Sequence, residues 1–400
     1  MTVFNHVPPY AGDPILSLME LFFADETADK VNLSIGLYYD DKGSIPTLDS
    51  VREATQNYQN QPEEPCVYLP MDGTADYKAA VQSLVFGEDS QALKDNRIAT
   101  LHTLGGSGAL MIGGDFLKSY YPQSKVFVSD PTWENHHAIF KGAGFEVDTY
   151  PYFDEQTKLL NFDGMLSALS ELPAQSIVLL HPCCHNPTGV DLTPTQWDQV
   201  IDVLAKRELI PFFDMAYQGF AEGVDEDAYA IRAMAQRTDM TFLVSNSFSK
   251  TLSLYAERVG GLSIVCADDK VATNVLGQLK AAVRRNYSSP AKYGSKLVSG
   301  VLNTGLKEQW LEEVDTMKMR MANMRSALFE RLLDLCPEKD FSYLIKQKGM
   351  FSYTGFTQTQ VDLLREEHAI YLIASGRMCV AGLNENNIEK VAEAFAAVSK

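Results

Sequence analysis

The stretch FLVSNSFSKTLSLYAERVGGLSIVCA, residues 242–267, joins two apolar runs through a polar segment and predicts a strand, a turn and a second strand. Lys250 lies in the serine-flanked turn at the end of the first run, and Arg258 follows eight residues later. Most lysines in turns are solvated surface residues. A lysine at the mouth of a buried strand is unfavourable unless its amine or its charge is used, so the rest of the chain must decide its role.

Short apolar runs alternate with amphipathic segments from about residue 100 to residue 267. The runs are 125–130, 176–182, 210–217, 241–247 and 261–267. The segment TPTQWDQVIDVLAKREL, which lies between two of them, predicts a helix because Thr193 and Gln196 form a capping-box pattern at its front. Strands buried on both faces and separated by helices predict an α/β fold with a mostly parallel sheet covered on both sides.

Polar clusters follow four of these runs. They are DPTW (130–133), HNPTG (185–189), DMAY (214–217) and SFSK (247–250). Ligands of open α/β sheets bind beyond the carboxyl ends of the strands, so four such clusters in series predict one shared crevice.

The bulk composition excludes several classes of protein. A chain of 400 residues with 46% hydrophobic content can bury a large core, in one large domain or two unequal ones. The net charge of −18 argues against nucleic acid or an anionic membrane surface as a partner, although a local arginine could still hold a small anion. MTVFNHVPPY lacks the features of a signal peptide, and no apolar run approaches the roughly 18 residues of a membrane span, so no membrane association is expected.

The six cysteines form no CxxC pair and no regular spacing, which favours reduced thiols in a cytoplasmic protein. The cluster HPCCHNP, residues 181–187, offers two histidines and two cysteines to a metal ion. However, Pro182 and Pro187 exclude the helix on which an i, i+4 histidine pair would converge. No metal site is predicted.

A long amphipathic helix is predicted near residue 310, where the apolar positions step by three and four residues. They are Trp310, Val314, Met317, Met321, Met324, Leu328 and Leu332. Such a helix could connect a large domain to a carboxyl-terminal one, whose final segment, 371–398, predicts a strand, a turn, a strand and a helix.

A glycine-rich segment, GGSGAL (105–110), predicts a turn that opens a helix, where free backbone amides favour a phosphate. With HNPTG, SFSKTLSLYAERVGG, DPTWENH, DMAYQGF and SGRMCVAG, it resembles the class I aminotransferases of pyridoxal-phosphate fold type I. The resemblance extends from VNLSIGLYYDDKG to the final helix. The stretches VYLPMDG, HPCCHNPTG, RRNYSSP and GMFSYTG resemble the bacterial aromatic amino acid aminotransferases within the aspartate aminotransferase branch.

The resemblance implies a large domain with a mostly parallel seven-stranded sheet flanked by helices, and a smaller α/β domain from both chain ends. The expected boundaries are 1–44 for the N-terminal arm and part of the small domain, 45–310 for the large cofactor-binding domain and 311–400 for the small C-terminal domain. It also implies a homodimer with shared active sites.

The implied cofactor is pyridoxal 5′-phosphate. By resemblance, Lys250 would hold it as a Schiff base and then shuttle the proton, which needs an amine of lowered pKa. Asp214 would pair with the pyridine nitrogen, and His136 would orient Asp214. Asn186 and Tyr217 would hydrogen-bond the phenolate oxygen.

The cofactor phosphate would, by resemblance, be held by Gly106, Ser107, Ser247 and Arg258. Arg258 would make a bidentate contact that lysine cannot match. Tyr68 resembles the tyrosine that reaches the phosphate from the other subunit.

The implied substrate site contains Arg377, which resembles the arginine that binds the α-carboxylate, with Asn186 and the Gly36 backbone beside it. Trp133 would stack against the cofactor ring and border the substrate. Arg284 resembles the arginine that the neighbouring subunit donates to the distal group of a dicarboxylate.

The implied activity is transfer of the amino group of phenylalanine, tyrosine or tryptophan, and of aspartate, to 2-oxoglutarate in two half-reactions. A strict aspartate aminotransferase is the nearest alternative. A lyase or decarboxylase on the same fold would retain Lys250 and Asp214. A non-enzymatic regulator would normally carry a basic DNA-binding module, for which this acidic chain has no spare length.

Overall fold

The structure is a computed structural model that describes residues 3–10, 12, 14–62 and 65–399. The α-helices of the described residues are α1 (Pro14–Ala24), α2 (Asp49–Gln59), α3 (Ala75–Phe86), α4 (Gln91–Lys94), α5 (Gly105–Tyr120), α6 (Asn135–Gly142), α7 (Phe162–Glu171), α8 (Pro194–Lys206), α9 (Tyr229–Ala235), α10 (Asp269–Asn286), α11 (Tyr293–Leu302), α12 (Leu306–Leu335), α13 (Tyr343–Lys346), α14 (Gln358–His368) and α15 (Ile388–Val398). Short 3₁₀ helices lie at Glu226–Ala228, Tyr255–Glu257 and Val380–Gly382.

The strands of the same residues are β1 (Val31–Asn32), β2 (Ile98–Leu104), β3 (Val126–Asp130), β4 (Val147–Pro151), β5 (Phe153–Asp154), β6 (Leu159–Leu160), β7 (Ile177–Leu180), β8 (Ile210–Met215), β9 (Phe242–Ser247), β10 (Val259–Val265), β11 (Phe351–Tyr353), β12 (Ile370–Tyr371) and β13 (Arg377–Cys379). Seven of them form one sheet in the order β2-β10-β9-β8-β7-β3-β4. Within this sheet β10 runs antiparallel to both of its neighbours, and the remaining pairs are parallel.

Both faces of the seven-stranded sheet are buried. Successive side chains of a strand point to opposite faces, and those of β7 belong to two different apolar clusters. In β7, Ile177 and Leu179 pack in one apolar cluster, whereas Val178 and Leu180 pack in the other. The period-two alternation of a strand produces this division. The predicted α/β fold with a mostly parallel, doubly covered sheet is confirmed.

The carboxyl ends of β2, β3, β7, β8 and β9 lie at one edge of this sheet, because these strands share a direction. The antiparallel β10 begins at that edge, since Gly260 pairs with both Ser247 and Thr103. The start of α5, at Gly105, and the residue before β10, Arg258, therefore meet there.

The segments near both chain ends pair with each other. β1 is parallel to β12, β11 is antiparallel to β13, and α12 packs against α15. The predicted long helix is confirmed as α12. The proposed domain boundary at residue 310 falls within this helix, and the three-part division of the chain stays a prediction.

Among the described residues, the structure contains no helix with the length and hydrophobicity that a bilayer crossing requires.

Candidate active site

A cavity of about 250 Å³ lies at the carboxyl edge of the sheet. Eleven of the thirteen residues proposed from the sequence for the cofactor and substrate line it. They are Gly36, Gly106, Ser107, Trp133, Asn186, Asp214, Tyr217, Ser247, Lys250, Arg258 and Arg377.

One end of the cavity is an anion cradle at the start of α5. Leu104, at the N-cap, has no side-chain oxygen to satisfy the first amides of this helix. Gly105 has a left-handed φ of +68°, and a Cβ there would lie 2.8 Å from the Arg258 guanidinium. At Gly106 a Cβ would approach Ser247 to 3.3 Å. The two glycines thus leave backbone amides, a hydroxyl and a guanidinium around one space, an arrangement that suits a phosphate.

The same cavity also holds a buried carboxylate. Asp214 Oδ2 lies 3.0 Å from His136 Nε2, and His136 Nδ1 lies 2.8 Å from the hydroxyl of Thr132. Burial raises the pKa of Asp214, but the hydrogen bond from His136 and the nearby positive charges outweigh burial and hold the pKa below its usual value. Asp214 is therefore an anion at neutral pH.

Lys250 Nζ lies 5.0 Å from the centre of the Tyr217 ring. Its partly exposed side chain lines the cavity. Desolvation lowers the pKa of Lys250 to about 8. The negative charge of Asp214 raises this pKa, whereas the positive charges of Arg258 and Arg377 lower it further. At neutral pH this amine is unprotonated more often than that of an ordinary lysine, and the unprotonated form is the one that acts as a nucleophile or base. Burial also raises the pKa of Tyr217, so its hydroxyl keeps its proton.

Arg377 is buried beside Asn186. Its Nη1 donates to Asn186 Oδ1 at 3.3 Å, and its Nη2 donates to the Ser34 carbonyl at 2.8 Å. The Nε of Arg377 has no hydrogen-bond partner among the described residues. Within the part of the chain that the structure describes, this buried guanidinium has one free donor and no acidic hydrogen-bond partner, which suits a carboxylate ligand.

The charges that line the cavity differ in sign from the charge of the whole chain. Lys250, Arg258 and Arg377 contribute positive charge and Asp214 contributes negative charge, whereas the chain carries −18. This local excess of positive charge fits an anionic cofactor together with a carboxylate substrate. The phosphate cradle, the amine and the carboxylate of Asp214 fit the phosphate, the aldehyde and the ring nitrogen of pyridoxal phosphate.

Tyr68 and Arg284 do not line this cavity. Tyr68 is 91% exposed, and Arg284, at the end of α10, is also exposed. Their contribution to a site therefore needs a second copy of the chain and stays a prediction.

Six residues that line the cavity were not proposed from the sequence: Ile15, Ile35, His181, Ala216, Ser249 and Phe351. Phe351 belongs to the quoted stretch GMFSYTG, but a phenylalanine in a short apolar strand carries no polar signal. His181 was considered only as a metal ligand, and its ring lies 5.2 Å from that of His136, centre to centre.

Part of the HPCCHNP cluster lies beside the buried carboxylate of Asp227. Cys183, Cys184 and Asp227 offer ligand atoms within 4.8 Å of one another. However, the pKa of both thiols is raised, so they keep their protons. The Asp227 carboxylate accepts hydrogen bonds from the amides of Gly219, Ala221, Glu222 and Gly223.

Comparison with known proteins identifies the family. The family model for aminotransferase class I and II matches residues 28–395. The aromatic-amino-acid aminotransferase of Escherichia coli (strain K12) is 60% identical over 397 residues, which are 99% of this chain and 100% of that protein.

Solved structures agree with this match. An aromatic-amino-acid aminotransferase from Burkholderia pseudomallei, covalently bound to pyridoxal phosphate, has a TM-score of 0.96 and 49% identity over 100% of both chains. The psychrophilic aromatic amino acids aminotransferase of Psychrobacter sp. B6, crystallised with aspartic acid, has a TM-score of 0.97 and 51% identity, covering 99% of this chain and 100% of that one. The fold, family and enzyme class predicted from the sequence are confirmed, and the chain belongs to the class I and II aminotransferases.

Proposed function

We propose that the protein transfers the amino group of aromatic amino acids, and also of aspartate, to 2-oxoglutarate with pyridoxal phosphate as cofactor. The observation that carries this proposal is one cavity that contains the Lys250 amine, with its pKa of about 8, the anion cradle and the buried Asp214 carboxylate. The 60% identity to an aromatic-amino-acid aminotransferase supports the substrate class.

When bound, pyridoxal phosphate supplies an electron sink for the charge left at the amino acid Cα after its proton departs. Asp214 keeps the ring nitrogen protonated, because its buried carboxylate stays ionised and is oriented by His136. Lys250 anchors the cofactor through its amine. When it is free, the same amine would move the proton between the substrate Cα and the C4′ carbon of the cofactor.

Other residues of the cavity fix the cofactor. The amides at Gly106 and Ser107, the Ser247 hydroxyl and the Arg258 guanidinium hold the phosphate. Asn186, Tyr217 and Trp133 hold the ring: the first two bind its phenolate oxygen, and Trp133 packs on its face.

Arg377 binds the α-carboxylate of both the amino acid and the 2-oxo acid, because its Nε has no hydrogen-bond partner, and its guanidinium no acidic one, among the described residues. The side-chain pocket must accept an uncharged ring in one half-reaction and a distal carboxylate in the other. We infer that Arg284 of a second copy binds that carboxylate and turns away for the ring, since a desolvated, unpaired guanidinium beside phenyl would be unfavourable.

The substrate class is tested with a panel of amino donors and 2-oxoglutarate, with glutamate formation and cofactor absorbance followed together. We expect high kcat/KM for phenylalanine, tyrosine and tryptophan and measurable kcat/KM for aspartate. Activity with aspartate alone would identify a strict aspartate aminotransferase. Release of ammonia or carbon dioxide without glutamate formation would identify a lyase or a decarboxylase.

Arg284→Leu is expected to lower kcat/KM for aspartate by at least about 30-fold, the effect of losing about 2 kcal/mol of charge-pair stabilisation. The kcat/KM for phenylalanine should change little, because its ring needs no cation. The adjacent Arg285, also exposed, provides a matched control, and Arg285→Leu should leave both values near those of the wild type. An unchanged kcat/KM for aspartate in Arg284→Leu would contradict the role of this residue.

A hybrid dimer tests whether the active sites are shared between subunits. Chains with Lys250→Ala and chains with Arg284→Leu are co-expressed under different affinity tags, and the hybrid is purified. One of its two sites combines an intact Lys250 with an intact Arg284 from the other chain, so we expect about half of the wild-type kcat with aspartate. Aspartate activity no higher than that of the two parent homodimers would exclude shared sites.

We also propose that the protein works in the cytoplasm. All six cysteines are free thiols, and five of them are buried. Such unpaired thiols are typical of a reducing compartment.

A further inference from the structure

Arg325, on α12, is a buried cation outside the cavity described above, and it contacts one continuous segment of the chain. Only 4% of Arg325 is exposed. It donates hydrogen bonds to the Leu344, Lys348, Gly349 and Phe351 carbonyls and to the Ser352 hydroxyl, with donor–acceptor distances from 2.5 to 3.3 Å. All five acceptors lie within residues 344–352, which are called the 344–352 segment below. One guanidinium therefore fixes four carbonyls of this segment in a single geometry.

Two further contacts hold the 344–352 segment against the loop that carries Asn186. The Lys348 amide donates to the Gly189 carbonyl at 2.6 Å. At Gly349, where φ is +74°, an added Cβ would lie 2.6 Å from Cys184 Cβ. The segment thus packs tightly against residues that border the cavity.

Phe351 lies near the end of the segment, and its ring contacts the proposed carboxylate-binding residue Arg377. The Arg377 guanidinium lies 4.3 Å from the centre of this ring. The ring also meets Tyr217 edge-on at 5.8 Å, centre to centre, and a Cβ at Gly36 would lie 2.8 Å from Phe351 Cζ. Since a guanidinium donates hydrogen bonds in its own plane, a ring packed against it restricts the directions in which Arg377 can bind a carboxylate.

We propose that Arg325 is a positioning residue for the substrate α-carboxylate: it fixes the 344–352 segment, which holds the Phe351 ring against the Arg377 guanidinium. This inference rests on the proposed carboxylate-binding role of Arg377. In this proposal the orientation of Arg377 depends on a second arginine, Arg325, which is buried outside the cavity. The strands that carry Phe351 and Arg377 are also paired, because in β11 and β13 Phe351 lies opposite Cys379 and Tyr353 lies opposite Arg377.

The test uses 3-phenylpropionate, a phenylalanine analogue that cannot react, and its uncharged counterpart 3-phenylpropionamide. The Kd of each for the holoenzyme is measured by calorimetry, and the ratio of the two Kd values isolates the contribution of the carboxylate. Arg325→Met is expected to reduce the preference for the carboxylate by about tenfold, since small misplacements of a binding group are costly. Arg377→Met should reduce it at least as much, and the double variant should show no further loss.

Arg320 provides the matched control, because it is a second buried arginine on α12. Its partners are the carbonyls of Ala381 and Leu383 and the residues Asp40 and Asp41. Arg320→Met should leave the ratio within about twofold of the wild type, although it removes a comparable set of buried contacts. An equal reduction in Arg320→Met would show a general loss of packing and overturn the proposal.

Two further variants guard against misfolding of Arg325→Met. Arg325→Lys keeps the charge but cannot reach the separated acceptors, so we expect the reduced ratio in a folded protein. Phe351→Leu leaves Arg325 in place and tests the last contact, again with a reduced ratio expected. A wild-type ratio in either variant would overturn the inference. A wild-type ratio in Arg377→Met would instead contradict the role of Arg377 in the proposed function.

Discussion

Replacement of Lys250 with alanine is expected to lower the transamination rate by at least about 10⁴-fold, the upper range for loss of one acid–base group. The amine both anchors the cofactor and moves the proton, and its pKa of about 8 suits it to both tasks. The measurement is a single turnover with phenylalanine, followed through the absorbance of the cofactor. Because the side chain is partly exposed, the variant should unfold at a Tm close to that of the wild type.

Lys250→Arg separates the charge of this residue from its proton transfer. An arginine keeps the positive charge in the cavity but cannot be deprotonated at neutral pH, so we expect this variant to be as inactive as Lys250→Ala. Borohydride reduction of the wild-type holoenzyme, followed by peptide mapping, should place the cofactor on residue 250. Attachment at another lysine, or activity above about one hundredth of the wild type in Lys250→Ala, would contradict the assignment.

Asp214→Asn is expected to lower kcat by about 10²–10³-fold, the usual effect of removing one preorganised electrostatic partner. The amide has nearly the same shape but cannot hold a positive charge on the ring nitrogen of the cofactor. The pKa of Asp214 is held below its ordinary value, so its charge persists throughout the neutral range. The measurement is kcat with phenylalanine between pH 6 and pH 9, alongside the absorbance of the bound cofactor.

Asp227 supplies the control for this variant, because it is a second buried carboxylate that lies outside the cavity. It accepts four backbone hydrogen bonds, so Asp227→Asn should lower the Tm while kcat per folded molecule changes little. If both aspartate variants lost the same fraction of kcat, the effect at Asp214 would reflect folding and not electrostatics.

The cavity shows how an acidic protein can bind anions. Three cationic side chains and the start of α5 meet at the carboxyl edge of the sheet, while the excess of acidic residues is distributed over the rest of the chain. Distance and salt weaken the field of exposed charges, whereas the groups within the cavity act over a few ångströms in a low dielectric. The net charge therefore predicts the absence of polyanionic partners better than it predicts the ligands of one site.

The sequence by itself determined the features that depend on neighbouring residues. Alternating apolar runs predicted β3, β7, β8, β9 and β10, and the capping box at Thr193 is present as expected. Steps of three and four residues predicted α12. The motifs also identified the family and the eleven residues that line one cavity, because each motif is a short local pattern whose residue types follow from the chemistry.

Only the tertiary structure decided the features that join distant parts of the chain. The antiparallel direction of β10 brings Arg258 to Gly105, and the lowered pKa of Lys250 comes from burial together with charges far away in sequence. No local sequence pattern predicts the contact of Phe351 with Arg377, or the hydrogen bonds from Arg325 to the 344–352 segment. Such contacts depend on which surfaces meet when the elements pack, and periodicity within one segment carries no information about its distant neighbours.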